Sequence, residues 1–226
     1  MLNSTSKILC SFIVALGLIP SLGWGTTTAA DDSLDQAIHD LQHDWGVIKY
    51  QTPQDDRKDQ FKALTEKAHQ VSENYPGRAE PLVWEGIILS SYAGELSGLS
   101  KMKALPLVKQ ARDLLLEAEK IDPNALNGSV YTTLGSLFYQ VPGWPLSFGD
   151  DKKAQEYLEK ALTINGDGID PNYFYGDFLV KQHKYTEALA ALNKALAAPP
   201  RPDRPIADAG RHKEIEEAIA ALKKHL

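Results

Sequence analysis

A single cysteine, Cys10, cannot form an internal disulfide or build a multi-cysteine zinc or iron–sulfur site. Positive charge is also short. The 24 Lys and Arg stand against 30 Asp and Glu, giving a net charge of −6 and a pI near 5.5. Without a broad basic field, binding driven by nucleic-acid phosphates is not expected. Alternating β-branched stretches, the mark of strands, are nearly missing. G-x-S-x-G, P-loop and dinucleotide fingerprints are missing too, and no Ser/His/Asp grouping stands out, so the chain is not expected to be an enzyme and no cofactor is implied. His39 and His43 lie one helical turn apart among Asp35, Asp40 and Asp44, a spacing that can chelate zinc. They lack the glutamate of H-E-x-x-H and a third ligand, so a solvated helix face is expected there and no metal. What is present is ordinary soluble composition, 43% apolar and 24% charged, in 226 residues that can bury a real core.

The N-terminus carries an export pattern. Lys7 precedes an apolar run from Ile8 to Ile19, Pro20 breaks it, and small residues follow. About 20 residues would be needed for a comfortable bilayer span, and the run is shorter. The pattern predicts a signal peptide over 1–25, cut after Gly25 or as late as Ala30, and a periplasmic location, an uncleaved membrane anchor being the alternative. Cys10 lies inside the run rather than at its end, where a lipidated cysteine would stand. Removing residues 1–25 takes away Lys7 and no acid, moving the net charge from −6 to −7. No stable membrane insertion is expected after cleavage.

Three- and four-residue apolar spacing runs through the rest. Leu34, Ile38, Leu41, Trp45 and Ile48 make one stripe. Phe61, Leu64, Ala68 and Val71 make a second, stopped by Tyr75-Pro76-Gly77. Internal similarity is stronger still. Glu85-Gly86 with Leu89, Leu134-Gly135 with Phe138, and Tyr175-Gly176 with Leu179 stand at equivalent places. Each is followed by an alanine series: Ala111, Leu115, Ala118; Ala154, Leu158, Ala161; Ala188, Leu192, Ala195. From first alanine to terminal breaker each unit counts twelve (111 to 123, 154 to 166, 188 to 200), whereas the glycine-to-alanine gaps are 25, 19 and 12. Insertions therefore fall between helices. Glycine inside a helix costs about 1 kcal/mol against alanine, so three at one register imply a close helix crossing. Leu115, Leu158 and Leu192 are expected to fill the space between neighbouring units. Ile121-Asp122-Pro123-Asn124 and Ile169-Asp170-Pro171-Asn172 are expected to be one helix-start phrase used twice.

This pattern resembles the tetratricopeptide repeat, W-x2-L-G-x2-Y, A-x3-F, A and P over 34 residues, and Gly166 to Pro200 has that length. The resemblance implies an all-α fold, a right-handed superhelix of tetratricopeptide-type helix pairs with a C-terminal capping helix. Its parts are a helix pair over 33–76, repeats over about 79–123, 124–166 and 167–200, and a cap helix over 206–226, in one domain from 31 to 226. The cap carries Ile215, Ile219, Leu222 and Leu226 on one face and solvating charges elsewhere. Trp84-Glu85-Gly86, the loop from Val141 to Asp151, and the ending Ala198 to Pro202 with Ala207 to Arg211 are similar to a family of small exported tetratricopeptide proteins of Gram-negative bacteria. That similarity extends over most of Leu34 to Leu222. More distantly, the chain is similar to the T component associated with TRAP transporters, but without that component's lipoprotein cysteine.

Two places are candidates for binding. The inner face of the superhelix is expected to carry Thr132, Ser136, Tyr139 and Gln140, then Tyr173, Asp177, Val180 and Lys181, with Val83, Ile87, Ser90 and Ser91 in the first repeat. Tyr139, Tyr173, Asp177, Lys181, Thr132 and Ser136 are the groove candidates, because tyrosine gives contact that is apolar on its body and polar at its tip. The alternatives are a merely solvated surface or Tyr139 packed on Tyr173. The second place is the Trp144 loop. Trp144 and Phe148 either fold back into the gap left by a long connection or form a rigid lip, and Asp150-Asp151 suit the start of the next helix. The chain is thus expected to be a non-catalytic periplasmic scaffold or adaptor holding a protein or peptide in its groove. The alternative is a periplasmic small-ligand binder or transport accessory of the T-component type.

Overall fold

A computed structural model describes residues 29–225; the signal segment 1–25, Cys10 and Leu226 lie outside the described residues. Among those described there are nine α-helices and no β-strand. They are α1 (Ala29–Tyr50), α2 (Gln54–Asn74), α3 (Ala79–Glu95), α4 (Ala104–Ile121), α5 (Ala125–Gln140), α6 (Asp151–Ile164), α7 (Ile169–Lys181), α8 (Tyr185–Leu196) and α9 (Pro205–Leu222). Successive helices pack as antiparallel pairs, and the pairs stack. The result is an all-α helical-repeat superhelix. Every member of the α1 and α2 apolar stripes is buried, from Leu34 to Ile48 and from Phe61 to Val71. None of the described helices is long and apolar enough to cross a membrane.

The three glycines mark the crossings within pairs. A Cβ on Gly86 would come 2.9 Å from Leu115 Cγ, one on Gly135 2.6 Å from Leu158 Cγ, and one on Gly176 2.8 Å from Leu192 Cγ. The leucines expected between neighbouring units thus sit on the glycine of their own unit instead. The reason is geometric: removing the Cβ opens a hole one branched side chain wide, and the second helix fills it. The alanines one turn earlier let the backbones approach; all three are fully buried.

The two Ile-Asp-Pro-Asn phrases do different work. The second opens α7, with Pro171 in the first turn and the Asn172 side chain donating to the carbonyls of Gly166 (2.7 Å) and Gly168 (2.8 Å). The first spans the exit of α4, and α5 then begins with a left-handed turn at Leu126 (φ 51°), Asn127 (φ 54°) and Gly128 (φ 75°). Glycine takes that conformation freely and asparagine readily, whereas at Leu126 it is strained.

The last helix does more than cap. Ile215 and Leu222 are buried against α8, as the stripe implies, but α9 also packs on α7 and on α1. A glycine makes that second contact possible. A Cβ on Gly210 would overlap the Tyr50 ring, whereas Gly46 faces Ala207 at a distance that would take a methyl without strain. The odd-numbered helices α1, α3, α5, α7 and α9 therefore close into a ring, each touching the next.

Candidate binding site

Within the ring lies a half-open cavity of about 320 Å3. Its apolar walls come from Trp45, Trp84, Ile87, Tyr173 and Phe174, and its hydroxyls from α3 (Ser90, Ser91) and α5 (Ser129, Thr132, Thr133, Ser136). Most of those hydroxyls donate back to their own helices: Ser90 to Gly86 O (2.7 Å), Ser91 to Ile87 O (2.9 Å), Thr133 to Ser129 O (2.8 Å) and Ser136 to Thr133 O (2.8 Å). Ser91 Oγ also accepts from Trp45 Nε1 at 2.8 Å.

Charge enters from α7 and α9. Asp170 accepts from Arg201 on one oxygen (2.7 Å) and from Arg211 on the other (3.0 Å). Asp208 holds Arg201 through both its backbone N–H and its guanidinium (each 2.7 Å). Glu214 takes Arg211, the Tyr50 hydroxyl (3.2 Å) and Lys49 (4.0 Å). Burial alone would raise the Asp170 carboxyl, but Arg211 and Arg201, with Arg204, hold it well below its ordinary value of 3.8. Arg211 also lies over the Tyr173 ring at 4.3 Å, fixing that ring as part of the wall.

The six groove candidates divide evenly. Thr132, Ser136 and Tyr173 line the cavity. Tyr139, Asp177 and Lys181 are brought together beside it, where they join α5 to α7. The Tyr139 hydroxyl donates to Asp177 at 2.6 Å, and Lys181 donates to the Tyr139 carbonyl and pairs with Asp151 at 3.0 Å. Burial, with Asp177 adding to it, pushes the Tyr139 phenol well above its ordinary range, so it stays a neutral donor. Tyr139 packs on Phe178 and not on Tyr173. Gln140, Ile87, Ser90 and Ser91 also reach the cavity, whereas Val83 is core.

The Trp144 loop divides as well. Phe148 folds back against Phe138 (5.5 Å, edge to face) with Arg112 over its ring, plugging the gap. Trp144 and Leu146 do the opposite, standing 89% and 69% exposed. A short β-bridge between Gly143 and Gly149 fixes the loop, and a Cβ on Gly149 would overlap the Val141 carbonyl oxygen. Asp150 caps α6, accepting from the amides of Lys152 (2.9 Å) and Lys153 (3.1 Å).

Sequence reasoning missed Lys49, Asp170, Arg204, Arg211 and Glu214. For Arg211 and Glu214 the signal was the three-residue step Asp208, Arg211, Glu214, which puts ionic partners on one stripe of a helix whose polar face is expected to be solvated. His39 stands beside Asp40 (3.9 Å), and among the described residues no three metal-ligating side chains converge.

The sequence matches no family model and no curated protein. Among solved structures the chain is similar to a thermophilic tetratricopeptide-repeat protein of Thermus thermophilus, at 14% identity and a TM-score of 0.54, over 84% of this chain and 99% of that one. At that identity the likeness is one of fold: the helix pairs built on Gly86, Gly135 and Gly176 are tetratricopeptide-like.

Proposed function

We propose that the protein is a non-catalytic periplasmic binding protein that encloses its ligand inside the ring of odd-numbered helices. Tetratricopeptide superhelices work through concave binding surfaces, and the fold suggests protein-interaction scaffolding. An adaptor that lays a partner helix along its groove needs that groove open. Here α9 meets α1. This contact is the observation that carries the proposal, because it narrows the groove to a half-open cavity of about 320 Å3, within the range of small-ligand sites. The small-ligand or transport-accessory alternative thus leads, and the exposed Trp144 and Leu146 supply a separate surface for a protein partner.

Native mass spectrometry of the protein purified from periplasm tests this. The wild type should carry a bound small molecule that is lost on denaturation. Ser136→Phe, which puts a ring into the cavity, should keep its helical circular dichroism and lose the added mass. If wild type and variant carry no added mass and capture the same protein partner equally, the interior is not the site.

A further inference from the structure

We propose that Arg204 is the anchor for a small organic carboxylate held inside the ring; this rests on the enclosed-ligand function above and names the ligand's chemistry. Arg204 precedes α9 and lies over Trp84, with Cζ 5.1 Å from the ring centroid. Both residues line the inner cavity, and both line a second one of about 360 Å3 at the N-terminal ends of α5, α7 and α9. The two cavities share Trp84, Ser129, Thr132, Asp170 and Arg204, so Arg204 stands at their junction.

The case is one of unmatched donors. Four cations gather here, Lys49, Arg201, Arg204 and Arg211; Glu95, Asp167 and Asp203 also line the two cavities, and three carboxylates lie among the cations, Asp170, Asp208 and Glu214. Those last three are engaged by cations other than Arg204: both Asp170 oxygens by Arg201 and Arg211, Asp208 by Arg201, and Glu214 by Arg211 and Lys49. Arg204 makes no ion pair with any of them, and its Nε is buried with no acceptor among the described residues. The indole Nε1 of Trp84 is likewise buried with no acceptor there. Asp170, then Asp208 and the exposed Asp203, act on Arg204 electrostatically without pairing with it, and Arg201 opposes them. Burial works against the guanidinium's charge. A buried donor without an acceptor is costly, and natural interiors satisfy nearly all of them.

What would complete this place is an acceptor for the Arg204 guanidinium and the Trp84 indole N–H. A carboxylate matches the planar guanidinium fork two-to-two. The ring of Trp84 and the side chains of Trp45, Ile87 and Phe174 leave room for an apolar body beyond the carboxylate.

Calorimetric titration of the exported protein with phenylacetate and its neutral isostere phenylacetamide tests the assignment. Phenylacetate should bind about tenfold or more tightly than the amide, the difference made by a charged hydrogen bond. Arg204→Gln should bring the two affinities together while keeping its helical circular dichroism, although it gives up the contact over Trp84 and the charge beside Asp170; Arg204→Lys, which keeps charge but not the fork, should fall between. Equal affinities in the wild type would overturn the anchor and leave the enclosed ligand to be decided by the native-mass result. Failure of both probes to bind, or acid preference surviving in Arg204→Gln, would overturn it too. A structural role alone would lower melting in both variants and leave the acid–amide ratio unchanged.

Discussion

Asp170 shows how one side chain can organise a wall. It sits in the first turn of α7, where a negative charge suits the exposed amides, and its two oxygens tie down arginines from the α8–α9 connection and from α9. Its pH dependence follows from its lowered carboxyl. Because the folded value lies below the ordinary 3.8, the contribution is complete above 3.8 and is lost as pH falls from there toward the folded value, the unfolded chain taking up its proton first. Asp170→Asn should therefore be less stable than wild type at pH 7, and the gap should narrow below pH 3.8; urea melts across that range measure it. A constant gap at all pH would show that the carboxylate's charge contributes nothing. None of this is legible in the sequence, where the helix-start phrase already accounts for Asp170. Its partners lie 31 and 41 residues away, beyond any local pattern.

Helices and their crossings were the legible part. Periodicity located the buried stripes of α1 and α2, and the repeated glycine marked where α3, α5 and α7 accept α4, α6 and α8. What periodicity could not say was whether Leu115, Leu158 and Leu192 look inward to their own pair or outward to the next, since both neighbours lie within reach of one helix face. The same limit split the groove candidates. Thr132 and Ser136 lie at the centre of the inner face of α5, and Tyr139, one turn further, has turned onto α7. Gly135 gives the sharpest test of a crossing. On an exposed helix Gly→Ala would gain about 1 kcal/mol of propensity. At Gly135 the new methyl meets Leu158 Cγ at 2.6 Å and the Leu158 amide at 3.2 Å, and backbone cannot yield cheaply. Gly135→Ala should thus lower stability by about 1–3 kcal/mol through overpacking, read as a fall in the urea midpoint at unchanged slope. A rise in the midpoint would mean that the crossing is looser than the glycine implies.

At the scale of the whole molecule, closure turns a stack of repeats into a container. In an open solenoid each unit contacts only its neighbours, so the ends are energetically independent. Here Tyr50 at the end of α1 packs where Gly210 leaves room on α9, and its hydroxyl donates to Glu214. Burial keeps that phenol un-ionised, with Arg211 opposing and Glu214 and Asp170 reinforcing the rise. Gly210→Leu would force the Tyr50 ring out and part the two helices. The pairs α3–α4, α5–α6 and α7–α8 make no use of that contact, so helix content should stay near wild type. Hydrogen exchange should quicken in the second half of α1 and the first half of α9, and small-angle scattering should report a larger radius of gyration. Any ligand held inside should be lost, because the wall carrying Arg204 and Arg211 would swing away from Trp45 and Trp84. Ala209→Leu, one residue away on the exposed side of α9, controls for the added bulk. If Gly210→Leu leaves exchange, radius and ligand as in wild type, closure does not depend on this contact and α9 acts as a terminal cap alone.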